Sequence, residues 1–395
     1  MMFVSPRRRL TVMLLLVVLQ LGCMGNDIVA PEEIEDPSSI AMYFPGRGLS
    51  WDSRTAAEIG WDQSSLSDAI EFAVANNAET PADLRAFLDG LGEGAPGQEI
   101  TGAVKDRGGA TGMIVHRGYI VAEWGDTART DMAFAVGEAF TATAIGLALD
   151  RGLILAATDP VGGYVQDDGY KSPHNTPITW LQTLQQTSEW VGDVWDRPDS
   201  ADRTEGPDRT PVAAGTFWEA NGVRTDRAIL SATQVWGESL ADVIDREIMT
   251  PVGASRSWRW QGYRNSVIDV GGNEIAAVAG TGRWGGGLWM STRDLARFGI
   301  LWARGGLWRE DQILSPEFVV AATTPSALNP THGYMWRLNT DGALWPAASS
   351  ESFGAAGLGD NLLWIDPGNE LVVVVRWIKS GSQNGLLERV LAALN

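Results

Sequence analysis

A single cysteine, Cys23, leaves the chain without any possible internal disulfide. Histidine is nearly as scarce. His116, His174 and His332 stand far apart with no ligand spacing between them, so no metal site is expected. Basic residues are outnumbered, 30 Lys and Arg against 49 Asp and Glu, for a formal net charge of -19. Such a surface repels phosphates and anionic headgroups, which argues against nucleic acid and charged lipid as partners. Internal repeats are missing too. The apolar run "LTVMLLLVVLQL" (10–21) is too short to favour a membrane span.

What is present suits a globular protein. Hydrophobic residues make up 44% of the 395 and charged residues 20%, enough for a large core in one or two domains. Eighteen tryptophans fit either a large core or an aromatic-lined cleft. At the N-terminus, "SPRRRL" and the apolar run have the order of an export signal. "LQLGC" then resembles a bacterial lipoprotein cleavage site, with Cys23 as the lipidated residue, although Gln20 departs from that motif. Ordinary cleavage and an uncleaved anchor are the alternatives. Residues 1–23 are therefore expected to be a signal segment, 24–41 an acidic tether and 42–395 the folded domain.

Along that domain, "WDQSSLSDAIEFAVAN" (61–76) has helical spacing, with Ser64 or Ser65 as a possible N-cap. "TPADLRAFLDGL" suggests a second short helix, and "GEGAPGQE" a loop. "TGMIVHRGYIVAEWG" (111–125) reads as two strands joined at "HRGY". "NLLWIDP" and "ELVVVVRW", separated by "GN", form a matching pair at the far end, and "NGLLERVLAAL" a closing helix. Between them, "AFAVGEAFTATAIGLALDRGLI" (133–154) reads as the start of a long buried helix. The expected class is α+β: one antiparallel sheet drawn from both chain ends, flanked by helices, with a mainly helical region inserted over about 130–330. A ligand cleft is expected between the two regions.

Several blocks in one order carry a resemblance over about residues 105–380. They are "GLALDRGLILAATDPVGGYV", "ITWLQTLQQTSEW", "AGTFWEANGVRTDRAIL", "LADVIDREIMTPVGAS", "GRWGGGLWMSTRDLARFGILWARGG" and "LGDNLLWIDPGNELVVVVRW". The chain resembles the serine hydrolases related to class C β-lactamases, DD-peptidases and family VIII esterases. That resemblance implies acyl transfer from a small ester or amide to water, with no cofactor. Relatives attack with the serine of Ser-x-x-Lys, whose lysine lies one turn on along the same helix face, and a tyrosine assists proton transfer across the cleft. Carried onto this sequence, the nucleophile falls on Ala135, the lysine on Glu138 and the tyrosine on Ala220. No register shift restores them, because no serine occurs between Ser67 and Ser172. Thr141 and Thr143 lie about 9 and 12 Å further along a helix rising 1.5 Å per residue. The region of the family's third motif reads "GAAGLGDN" (354–361), without lysine or histidine.

Other positions allow two readings each. Glu138 is either a carboxylate of raised pKa that activates water, or an acid favoured by the helix dipole in a first turn. Gly137 marks either a site no longer held in place or close packing at the helix start. Trp218, Glu219, Asn221, Arg224, Trp284 and Gly357 are candidate pocket residues; Glu219, Asn221 and Arg224 equally suit a loop held by hydrogen bonds and an ion pair. "SWRWQGYRN" (257–265) suits arginine–aromatic packing on the core, and His174 a loop with a backbone partner.

Three functions are compatible with these features. The first, which the joint loss of nucleophile, base and tyrosine favours, is a catalytically inactive homologue in the bacterial envelope. It would bind a small-molecule or peptidoglycan-like ligand or a partner, and meet the membrane only through its N-terminal lipid. The second is a hydrolase using water activated by Glu138. The third is a structural lipoprotein whose cleft has filled in.

Overall fold

The computed structural model describes residues 41–91, 99–282 and 286–394, and the fold below is that of these residues. The export signal, Cys23, the tether up to residue 40, nearly all of "GEGAPGQE" and Trp284 lie outside them.

The first helix, α1 (Gln63–Ala75), is capped by Asp62, whose carboxylate accepts from the Ser65 amide at 2.7 Å. The cap is thus not Ser64 or Ser65. Both serines already have helical backbone, whereas Asp62 has the extended conformation that turns a side chain toward the free amides. A short α2 (Leu84–Leu91) follows. Strands β1 (Thr111–His116) and β2 (Tyr119–Trp124) form the expected hairpin.

The closing strands run as expected too. With β6 (Arg337–Leu338), β7 (Phe353–Gly357), β8 (Asn361–Asp366) and β9 (Leu371–Arg376), they complete a six-stranded antiparallel sheet in the order β6-β7-β8-β9-β1-β2. The last strand, β9, therefore lies between the first, β1, and its own hairpin partner, β8. A central strand covered on both faces has no polar side, which explains the unbroken "LVVVV". Successive side chains still alternate. Leu371, Val373 and Val375 join the core beneath α1 and α6 (Gln383–Ala393), while Val372 and Val374 join the core on the opposite face. That second face is covered by α5 (Thr292–Ala303).

The inserted region is mostly helix and loop, with three two-stranded pairs (193–198, 267–276 and 307–312) and one larger addition. A second sheet joins β3 (Thr130–Met132), β5 (Gly287–Ser291) and β4 (Arg259–Gln261) in the order β3-β5-β4. The buried Arg376 ties it to the main sheet. Its guanidinium donates to the carbonyls of Met132 (2.6 Å) and Met290 (2.9 Å) and to Asn361 Oδ1 (2.8 Å). Burial lowers its pKa only to about 10, so it stays charged at neutral pH. The arginine–aromatic packing expected in 257–265 is met by Arg259, whose guanidinium lies 4.5 Å from the centre of the Trp289 ring. His174 has its backbone partner, the Glu189 carbonyl, at 2.9 Å.

Candidate active-site cleft

The stretch expected as one helix starts differently. β3 ends at Met132, and the Ala133 amide donates to the Leu288 carbonyl at 2.8 Å. Phe134 then takes a left-handed backbone, φ 51°, at a cost of about 1–2 kcal/mol for a residue with a side chain. Its ring meets Trp377 edge-on at 6.1 Å. A 3-10 turn over Phe134–Val136 leads into α3 (Gly137–Asp150), so Ala135 sits on the turn and Glu138 in the first turn of the helix.

Two glycines let backbone crowd this turn. A Cβ on Gly357 would stand 2.4 Å from the Ala133 carbonyl oxygen and 3.1 Å from the Ala135 amide nitrogen. One on Gly137 would stand 2.6 Å from the Gly280 carbonyl oxygen. Of the two readings of Gly137, close packing is the one the structure supports.

Opposite this turn stands α4 (Gly222–Trp236), capped by Asn221, which accepts from the Arg224 amide at 3.1 Å and donates to the Asp199 carbonyl at 2.9 Å. Arg224 runs back beneath the cap. Its guanidinium reaches Glu189 (2.5 Å), Glu219 (2.9 Å), Asp199 (3.3 Å) and the Trp190 carbonyl (3.0 Å). Arg209 bridges the same two glutamates at 2.8 and 3.0 Å. Burial alone would raise the pKa of Glu189, but hydrogen bonds from Arg209 and the Val212 amide, with the charge of Arg224, bring it down to about 2. Glu219 and Arg224 thus form the buried ion pair that was one of their two readings, and hold the loop carrying Ala220 and Asn221.

Between turn and cap lies a cleft of about 370 Å³. Ala135, Glu138 and Ala220, the three positions that the resemblance assigns to nucleophile, lysine and tyrosine, all line it. Their convergence is what a shared reacting centre requires. Asn221 lines it as well, with Phe134, Leu358, Asp202 and Thr281, residues that sequence reasoning missed. Leu91 and Gly222 complete the wall. Glu219 and Arg224 lie beneath, in the ion-pair network, and Gly357 acts through its contact with the Ala135 turn. Trp218 is not among the lining residues; it packs on His332, ring centres 4.4 Å apart. Burial first, and then the charge of Arg337, lowers His332 to about 4, so it is neutral at pH 7.

Glu138 is the most perturbed group facing the cleft. Burial raises its pKa to about 7 against the lowering effects of the Arg337 charge and hydrogen bonds from Thr225 and Gln186. The Thr225 bond is long, 3.4 Å. Thr141 and Thr143 turn away: their hydroxyls donate to the Gly137 and Ala139 carbonyls at 3.0 and 2.7 Å, and both side chains are fully buried. Among the described residues no group of three or more His, Cys, Asp or Glu side chains is placed to hold a metal ion.

Comparison with known proteins agrees with this architecture. The Beta-lactamase family model matches residues 97–393. An uncharacterized protein of Alkalihalophilus pseudofirmus is 23% identical over 320 residues, covering 72% of this chain and 88% of the relative. Among solved structures, a family VIII carboxylesterase superposes with a TM-score of 0.55 at 15% identity, covering 83% of this chain and 96% of that one. A penicillin-binding protein homologue from Caulobacter crescentus gives 0.53 at 15% identity, covering 72% and 92%. With the family model spanning most of its length, an α+β fold of the expected plan and a cleft at the expected place, this chain belongs to the Beta-lactamase family.

Proposed function

We propose that the protein binds a small molecule in this cleft and does not perform Ser-Lys acyl transfer. The observation that carries the reading is the chemistry of three converging positions: Ala135 and Ala220 end in methyl groups, and Glu138 supplies an acceptor where an amine would be needed. The hydroxyl on the wall belongs to Thr281, and the described lining holds no lysine or histidine to activate it. The cleft has not filled in, which speaks for ligand binding over a purely structural role. A bacterial envelope location with a lipid anchor on Cys23 is part of the proposal, supported by the order of basic stretch, apolar run and cysteine in residues 1–23.

One observation favours a second reading. A carboxylate with a pKa of about 7 is matched to proton transfer at neutral pH, so Glu138 could act as general base toward water. Assays of the purified protein with p-nitrophenyl acetate and nitrocefin separate the two. Binding without catalysis predicts turnover at the buffer rate. Turnover that rises as pH passes through 7, when Glu138 ionises, and that disappears in Glu138→Gln, would establish the second reading instead. Turnover unchanged in Glu138→Gln would overturn both.

A further inference from the structure

A second cavity, of about 390 Å³, shares no lining residue with the cleft. It lies where "PGRG" (45–48) meets "MTPVGASRSWRW" (249–260). Glycine permits the meeting. Gly253 has a left-handed backbone, φ 72°, and a Cβ there would stand 3.3 Å from Arg47 Cα. The Gly48 amide donates to the Gly253 carbonyl at 2.9 Å. The fully buried Arg297 of α5 donates to the carbonyls of Gly46 and Gly48, both at 2.7 Å. Arg256 is fixed in a similar way. Its neighbour Ser255 donates from amide and hydroxyl to Asp294, at 2.8 and 2.5 Å, and Ser257 accepts from the Thr130 hydroxyl at 2.9 Å. Arg47 and Arg256 are thus both exposed residues on a backbone held from either side.

No ion pair joins the charges of this lining. The guanidinium groups of Arg47 and Arg256 have no partner among the described residues. Arg259, in β4, has the Ala103 carbonyl at 3.2 Å and the Trp289 ring, and no carboxylate. Of the acids in the same lining, Asp242 has no side-chain partner and Asp245 only a long bond from the Thr250 hydroxyl, 3.4 Å. The chain on both sides of each of these positions is among the described residues. An arginine without a carboxylate stands out in a chain with 49 acidic side chains against 30 basic ones, and three of them share this cavity. We propose that the cavity binds a small zwitterion, a carboxylate and an ammonium on one apolar body. Arg47 and Arg256 take the carboxylate, and Asp242 and Asp245 the ammonium.

Simpler charge states fit less well. An anion would use the arginines but approach a protein of net charge -19 and meet two aspartates. A cation would meet three arginines. A neutral ligand would take water from charges that gain no partner in exchange. A zwitterion has no net charge, so the overall field does not repel it, and each of its ends finds the opposite sign. The guanidinium fork matches a carboxylate, and the three donors of an ammonium suit carboxylate acceptors. The half-buried Trp258 and Trp260, whose indole is fixed by its bond to the Ala279 carbonyl at 2.6 Å, offer aromatic cover for the body. The volume lies in the range of small-molecule sites. This site is separate from the cleft and holds whether the cleft binds or catalyses.

Calorimetry on the purified protein at about pH 7 tests it with probes that share an aromatic body. Phenylalanine and the dipeptide Ala-Phe carry both charges at different spacings, 3-phenylpropionate only the carboxylate, and phenethylammonium only the ammonium. At least one zwitterion should bind at least about five-fold more tightly than either single-charge probe, the upper end for a solvent-exposed ion pair. Which zwitterion is tighter identifies the source, a free amino acid or a peptide. Arg47→Gln and Arg256→Gln combined should bring that zwitterion to within about two-fold of phenethylammonium. Asp242→Asn and Asp245→Asn combined should bring it to within about two-fold of 3-phenylpropionate. All four residues are exposed, so both variants should keep the urea midpoint of the unaltered protein. If either fails to fold, the comparison on the unaltered protein still decides. Equal binding of all probes, tighter binding of a single-charge probe, no binding of any, or a zwitterion preference unchanged in the arginine variant would each overturn the proposal.

Discussion

Arg224→Met should lower the stability of the protein by about 3 kcal/mol, at the low end of the range for breaking a buried ion pair. The arginine is 7% exposed and serves Glu189, Glu219, Asp199 and a backbone carbonyl at once. Methionine fills a similar volume but leaves Glu189, whose side chain has no exposure, short of one counter-ion. Arg209 still bridges Glu189 and Glu219, and Arg203 still pairs with Asp199, so the loss stays at the low end. The urea midpoint at pH 7 should fall with an unchanged slope. Acid sensitivity should change as well. Glu189 is held well below its unfolded pKa, so its contribution is present above about pH 4.5 and is lost as pH falls toward 2. With Arg224 gone the folded pKa should rise toward the unfolded value, so this acid-dependent loss should be smaller and complete at a higher pH. A cost below about 1 kcal/mol would mean that the network is not what holds the loop of Ala220 and Asn221.

Gly137→Ala should also destabilise, by about 1–3 kcal/mol, the usual cost of overpacking. Helix propensity alone predicts the opposite sign, a gain of at most about 1 kcal/mol, the value for an interior glycine, since Gly137 opens the helix. Space decides the sign. The new methyl would lie 2.6 Å from the Gly280 carbonyl oxygen, a backbone atom that cannot rotate away. Gly280 is itself pinned, its amide donating at 2.7 Å to Asp226, which is paired with the buried Arg197. The helix start must therefore move, and Glu138 moves with it. A raised urea midpoint for Gly137→Ala would show that the contact yields more easily than its backbone partner implies.

The frame of the fold was legible because its signals are local. The "HRGY" and "GN" turns sit between strands of six residues, and the valine run of β9 can be apolar throughout only if both its faces are covered. The positions of Ala135, Glu138 and Ala220 were legible from blocks of sequence around them. The rest of the cleft was not, because Asp202, Thr281 and Leu358 come from separate loops whose approach depends on tertiary packing. Trp218 shows the same limit: its place in the sequence beside Glu219 does not reveal that it turns toward His332. Nor does periodicity reveal the left-handed Phe134, whose ring meets a tryptophan more than 240 residues away in sequence, Trp377. The buried charges of α4 read as an ordinary loop clasp in sequence. Only the fold brings Glu189 and Arg209 to the same point.

Whether any atom in the cleft can take an acyl or phosphonyl group separates a binding protein from an acyl-transfer enzyme. Intact mass measured after incubation with a fluorophosphonate decides it, with Ala135→Ser, Glu138→Lys and Ala220→Tyr combined in one variant as the comparison. The unaltered protein should keep its mass, and labelling of the combined variant would show that the scaffold still positions the reactive groups. A single adduct on the unaltered protein, at Thr281 or at any other residue lining the cleft, would contradict the account.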